Sequence, residues 1–256
     1  MKKIISYNLN GIRSAINKDL IGWLKAENPD IVCIQETKAQ ENQIENSLFE
    51  EQGYHCYWFS AQKKGYSGVG IITKTKPDNV VKGMNIEAYD NEGRFIRADF
   101  GDISVISVYH PSGSSGEDRQ DFKMKWLENF RKYINELSKT RSKLIISGDY
   151  NICRLWIDIH NPEKQQDVSG FLPEEREWFD NFINEGFTDT FREFHKEEKN
   201  HYSWWSYRAG ARANNKGWRI DYNITTNNLH EILSDAYILT DVVHSDHCPV
   251  VLEAEF

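Results

Sequence analysis

Ten short runs of the chain are rich in β-branched and aromatic residues and are bounded by turn formers, the pattern of buried or half-buried strands. They are KIISYNL (3–9), DIVCIQE (30–36), YHCYWFSA (54–61), GVGIITK (68–74), RFIRADFG (94–101), ISVISVYH (103–110), KLIISGDYN (143–151), YSWWSY (202–207), WRIDYNIT (218–225) and PVVLEAEF (249–256). Between them, DLIGWLKAEN (19–28), ENQIENSLFEEQG (41–53), a long stretch from Glu117 to Lys139 and LPEEREWFDNFINEG (172–186) repeat apolar residues at helical spacing. Pro29, Gly53 and Gly186 fall near the ends of these segments, where helices stop.

The order is neither strict βαβα nor all-β, which predicts a mixed α/β domain of sheets in a sandwich flanked by helices. No Pro/Gly/Ser-rich stretch or charge block divides the chain, so residues 1–256 are expected to form one domain. The KIISYNLNG and KLIISGDYNI segments echo each other, each a buried-looking strand with a polar, Asn-containing tip. Two sheets with such tips at one edge would build one site.

The 39% hydrophobic content suffices for a core, and 13% aromatics with eight Trp suits either a large core or stacking surfaces. The opening apolar run is interrupted by Ser6, Asn8 and Asn10, too soon for a signal peptide, and no run reaches membrane-spanning length. Cys33, Cys56, Cys153 and Cys248 are far apart without a CxxC, the usage of free thiols in a reducing, cytoplasmic setting. A net charge of −8 argues against non-specific coating of nucleic acid. It leaves a nuclease open, because charge is screened over about 8 Å at physiological salt and a local basic face can still hold a phosphate backbone.

Polar residues recur where buried-looking strands end: Asn8 and Asn10, Glu36, Tyr109 and His110, Asp149 and Asn151, Asp221, and Asp246 with His247 in SDHCP. Each alone reads as a turn Asn, a cap or a paired carboxylate. Together they need solvent, partners or a metal, since unpaired carboxylates beside apolar strands are costly. Glu36, Asp246 and the Asn10 amide oxygen are hard donors that suit Mg²⁺ or Mn²⁺, and no His/Cys set has zinc spacing. Asp149, Asn151, Asp221 and His247 are left for chemistry.

The ordered set SYNLNGIR, QETK, GYSGVGI, GDYN, GWRIDY and SDHCPV resembles that of the exonuclease III family of AP endonucleases, within the endonuclease/exonuclease/phosphatase superfamily. The resemblance covers Lys3 to the C-terminus and implies a four-layered, DNase I-like α/β sandwich. It implies a metal at Glu36, with Asn10 and Asp246 nearby. Asp149 would orient or deprotonate the attacking water, with Asn151 and Asn8 placing water and phosphate. His247, held by Asp221, would stabilise the phosphate's developing charge, Tyr109 would sit by the scissile phosphate, and Lys38 beside the site. Trp204, Trp218 and Ile220 would form an apolar pocket for a base-free sugar. Arg208 would enter the duplex at the gap, while Arg212, Lys216, Arg219, Lys63 and Lys64 would grip phosphates.

Two departures stand out. Ser112 follows YHP where many relatives carry Asn, a shorter side chain expected to weaken a phosphate contact, and Arg154-Leu155 replaces a common His-Glu pair. No basic extension precedes the first strand, as in a compact bacterial-type enzyme. The expected activity is Mg²⁺-dependent hydrolysis 5′ to an abasic site in duplex DNA, with 3′-phosphodiesterase or 3′-5′ exonuclease action on blocked 3′ ends, by a monomer without membrane contact. The alternatives are another phosphodiesterase of the superfamily, such as a non-specific DNase or phosphoinositide phosphatase, and a non-catalytic lesion-binding protein.

Overall fold

A computed structural model describes all 256 residues. One six-stranded sheet has the spatial order β11-β12-β1-β2-β4-β3, formed by β1 (Lys2–Asn8), β2 (Ile31–Gln35), β3 (His55–Phe59), β4 (Val69–Thr73), β11 (Leu233–Ile238) and β12 (Val250–Ala254). The other six strands run β5-β6-β7-β8-β10-β9: β5 (Asn79–Lys82), β6 (Phe95–Phe100), β7 (Ile103–Tyr109), β8 (Lys143–Asp149), β9 (Phe187–Asp189) and β10 (Asp221–Thr226). Each sheet has one parallel pair near its middle, β1 with β2 and β7 with β8, and is otherwise antiparallel.

Side chains alternate across each strand, and both faces of the central strands are apolar because both are covered. Ile4, Cys33, Ile71, Val105, Ile145 and Leu252 point between the sheets and form the inner core. Their neighbours Ile5, Val32 and Ile72 turn outward against α1 (Ile12–Asn17), α2 (Leu20–Glu27) and α3 (Ser47–Glu50), meeting Ile12, Leu24 and Phe49. On the far side, Ile106, Leu144 and Ile146 meet Trp126, Phe130 and Ile134 of the long helix Glu117–Ser138 and Phe179 and Phe182 of the helix Pro173–Asn184. The result is four layers, helix on sheet on sheet on helix, as the sequence led us to expect. Each fully buried Ile in these layers contributes roughly 1.5–3 kcal/mol. No helix is long and apolar enough to cross a membrane.

Two expected elements are different. The helix over 41–53 is broken into a 3₁₀ turn (Glu41–Gln43) and the single turn of α3, with Ile44 extended between them. Just beyond the break, the Asn46 side chain accepts the indole N–H of Trp58 at 2.8 Å, fixing the segment to β3. The run 202–207 is no strand: Trp204 makes only isolated bridges to Trp218 and His247. Its neighbour Trp205 faces the other way, into a small cluster with Tyr202, Ala211 and Cys248.

Candidate active site

The two parallel pairs bring the C-terminal ends of β1, β2, β7 and β8 to one edge of the sandwich. Tyr109 lies opposite Asp149, which lies opposite Asp221 at the start of β10. Just beyond the strand ends, Asn10, Glu36, Lys38 and Asn151 all adopt left-handed backbone, with φ of 47°, 50°, 47° and 52°. That conformation costs a non-glycine residue about 1 kcal/mol or more, and here it turns the chain sharply enough to fold the side chains back over the sheet edge.

Asn8, fully buried, joins the sheets: its Nδ2 donates to Glu36 Oε1 and to Asp149 Oδ2, both at 2.9 Å. Asp149 Oδ1 accepts the backbone N–H of Asn151 at 2.8 Å. Asn151 Nδ2 donates to the carbonyl of His110 at 2.9 Å. The His247 imidazole places Nδ1 2.9 Å from Asp221 Oδ2 and Nε2 3.9 Å from Asp149 Oδ2. Ser203 also donates to Asp221 Oδ2, at 2.6 Å, fixing the acceptor that holds the imidazole.

The electrostatics follow from this packing. Burial, then the negative charge of Asp221, push the Asp149 carboxyl up to about 8, against the opposing pull of His247. Burial alone would depress the His247 imidazole; the Asp221 carboxylate, seconded by Asp149 and Asp246, outweighs it and raises the group to about 10. Tyr109 is held well above the ordinary phenol range by burial and by Glu36, while the Arg94 guanidinium stacks 4.6 Å from its ring centre. An imidazolium and a carboxyl of elevated proton affinity thus face one cavity. It measures about 310 Å³ and is lined by Glu36, Tyr109, Ser112, Asp149, Asn151, Trp204, Trp218, Ile220, Asp246 and His247 among others.

Around the metal position the structure holds the expected oxygens and a second group close by. Glu36, Asp149 and His247 each present a ligand atom within 4.8 Å of the others. Asn10 Oδ1 accepts from Lys38, whose ammonium also lies 2.7 Å from Glu36 Oε2. The Asp246 oxygens accept from Asn10 (2.8 Å), Ser245 (3.1 Å) and the Trp204 indole (3.0 Å). Two carboxylates, an amide oxygen within reach and no thiolate make a hard donor set that fits a divalent cation.

The apolar wall is built by Trp204 and Trp218, edge to face at 6.0 Å, beside the buried Ile220. Arg208 stands exposed at the tip of the 206–211 loop beside Tyr207, which is 72% exposed. Lys63, Lys64 and Lys216 are exposed, and Ser112 hydrogen-bonds Ser114 at 2.9 Å. Arg212 is spent locally, donating to the carbonyls of Ser245, Thr240 and Val242 and stacking on Trp205.

One expectation needs correction. Arg219 cannot grip phosphates: it is 1% exposed, and its guanidinium faces Asp158 and Asp189 in a buried cluster that Arg192 completes. His110 lies in the aromatic core, not in the cavity, stacked 4.3 Å from Tyr150 with Nδ1 accepting the Trp126 indole. Ser203 carried no local sequence signal, because its role exists only once residues 203 and 221 are paired.

The sequence matches the Endonuclease/Exonuclease/phosphatase family over residues 5–247. It is 43% identical over 251 residues to a Bacillus subtilis exodeoxyribonuclease, covering 98% of each chain. It is 39% identical to the DNA repair nuclease APEX1 of Danio rerio, covering 98% of this chain and 81% of the relative. Its structure superposes on an AP endonuclease from Archaeoglobus fulgidus with a TM-score of 0.92 at 33% identity, with both chains covered completely.

Proposed function

The chain belongs to the endonuclease/exonuclease/phosphatase family, and we propose that it is a DNA repair nuclease that hydrolyses the phosphodiester 5′ to an abasic sugar in duplex DNA and trims blocked 3′ ends. The observation that carries this reading is the run of contacts Glu36–Asn8–Asp149 and Asp149–His247–Asp221 meeting at the rim of an aromatic-walled cavity. One edge handles a phosphate; the other admits a sugar without a base.

Free water is a poor nucleophile toward an anionic diester, so the reaction needs a base and a counter-charge. Asp149 is the base: Asn8 and Asn151 hold its carboxylate, and its raised proton affinity suits it to take a proton from water near neutral pH. His247 supplies the positive charge, because Asp221 keeps the imidazole protonated and fixes Nδ1. Tyr109 borders the same phosphate position. Glu36, with Asn10 close by, would hold Mg²⁺ or Mn²⁺, which when bound neutralises charge on the phosphate and the departing 3′-oxygen. Trp204, Trp218 and Ile220 select the base-free sugar, leaving products with a 3′-OH and a 5′-deoxyribose phosphate. Arg208, Lys63, Lys64 and Lys216 face the duplex. All of these groups come from one chain, so the reading requires only a monomer.

The test is cleavage of a duplex with one abasic-site analogue beside an undamaged duplex, with Mg²⁺ and with EDTA. Metal-dependent incision only 5′ to the lesion is expected. Equal cutting of both duplexes would remove the pocket from the account, and no cutting of either would point to a phosphoinositide substrate or to binding without turnover.

A further inference from the structure

Lys123 and Glu175 are completely buried and paired at 2.6 Å, on the apolar face of one helix and in the first turn of the next. Replacing a buried ion pair by apolar side chains is often neutral or stabilising, so stability alone does not account for it. What the pair touches is more telling. Lys123 Nζ donates at 2.9 Å to the carbonyl of Asn151, a residue in left-handed backbone outside any strand or helix. Glu175 accepts the backbone N–H groups of Gly170 at 2.6 Å and Leu172 at 3.0 Å. It also accepts from Gln120 at 3.0 Å, and Gln120 in turn accepts the Ser169 hydroxyl at 2.7 Å.

These bonds run from the core to the cavity's outer rim, where Ser112, Ser114, Asn151, Ser169, Gly170 and Trp218 all face the opening. The rim is packed without slack. A Cβ on Gly170 would lie 2.9 Å from the Trp218 ring and 3.1 Å from the Asn151 carbonyl, and one on Gly113 would lie 1.8 Å from Gln120 Oε1 and 2.6 Å from Ser169 Oγ. The Cys153 N–H also donates to the Gly170 carbonyl at 2.8 Å, so the loop of Asn151, Gly170 and the Trp218 ring lie in one close-packed series.

We infer that Gln120, Lys123 and Glu175 are positioning residues that set the spacing between Asn151 and Trp218, and thereby the preference for a base-free sugar over an intact nucleotide. This rests on the nuclease reading above. None of the three touches the substrate. They act by holding two irregular loops, which a sheet edge cannot hold, at a fixed separation.

The experiment compares Lys123→Met and Gln120→Ala with the wild type. It measures kcat and KM on abasic and undamaged duplexes, with active enzyme counted by single-turnover burst. Lys123→Met should lower the abasic-to-undamaged ratio of kcat/KM about tenfold or more, the scale of a pocket that changes by a methylene or two. Gln120→Ala, at a half-buried position that keeps the ion pair, should move the ratio the same way by less. A merely structural role would reduce the active fraction and leave the ratio unchanged, which would overturn the inference. Amide hydrogen exchange separates this outcome from failure of the functional reading. If the wild type shows no lesion preference, faster exchange in Lys123→Met confined to residues 150–153 and 168–172 still supports the positioning role. Unchanged exchange there refutes it.

Discussion

Replacing Asp221 by Asn keeps the shape of the side chain and the acceptor for Ser203, and removes only the charge that faces His247. Asp221 is 1% exposed and lies 2.9 Å from His247 Nδ1, against 3.9 Å between Nε2 and Asp149 Oδ2, so it is the main support of the imidazolium. With Asp221 ionised, His247 titrates at about 10 and is fully protonated at pH 8. Without it, Asp149 and Asp246 still favour the imidazolium while burial opposes it, and if these offset each other the group returns to its ordinary 6.5. At pH 8, about 1.5 units above that value, roughly 3% remains protonated, which is about a 30-fold loss or about 2 kcal/mol at 1.36 kcal/mol per unit. At pH 6 most of the imidazole is protonated again, and this part of the loss falls below about twofold. Asp149 is pulled both ways by the change, down by loss of the Asp221 charge and up by loss of the imidazolium. At low pH, where the imidazolium is retained, only the first effect acts, so the titration of Asp149 also narrows the deficit toward low pH. The assay is single-turnover cleavage of an abasic-analogue duplex between pH 6 and 8.5, read as that ratio. It should narrow by about an order of magnitude or more toward low pH. A deficit of the same size at every pH would show that Asp221 acts through geometry alone and would refute the charge argument.

Asp149→Asn should lower turnover by about two orders of magnitude or more while leaving affinity for abasic DNA nearly unchanged in a gel-shift titration; affinity lost as severely as rate would mark the residue as structural. Arg219→Met leaves the buried Asp158 and Asp189 short of counter-charge, so urea denaturation should show about 3–5 kcal/mol less stability. A loss under about 1 kcal/mol would mean that Arg192 alone suffices for both carboxylates. Because the folded-state pKa of His247 is raised, its contribution to stability is complete below the unfolded value of 6.5 and is lost as pH rises through about 10. Thermal melts should therefore drop across that window in the wild type, and less steeply in Asp221→Asn. Arg208→Ala should change affinity or product release more than the chemical step. Binding should weaken steeply with salt despite the net charge of −8, and a salt-independent affinity would remove the basic face from the account.

The polar residues that build the phosphate side of the site were legible because each interrupts an apolar run at a strand terminus, a purely local signal. Asn8, Glu36, Tyr109 and Asp149 sit at or just past the end of a strand, and Asp221 at the start of one. The strands that escaped notice are edge strands or very short. β5 and β11 keep half or more of their residues partly exposed and so lack a continuous apolar run, while β9 has three residues. Arg219 misled for a related reason. In the alternation Trp218-Arg219-Ile220 the apolar neighbours face the cavity, so the arginine points away from it, inward to Asp158 and Asp189 at sequence separations of 61 and 30. Burial of a cation is predictable only if its anions are known, and those lie on other elements. The same holds for Ser203 with Asp221 and for Lys123 with Glu175, 18 and 52 residues apart. Lys123 is the sharpest instance, since within its helix it is a lysine on an apolar face and nothing nearby in the chain explains it. The groups that meet a substrate are written locally because they must protrude from rigid strands at one edge. The groups that hold them in register are written in pairs across the chain, because a buried charge is tolerable only where the fold delivers its partner.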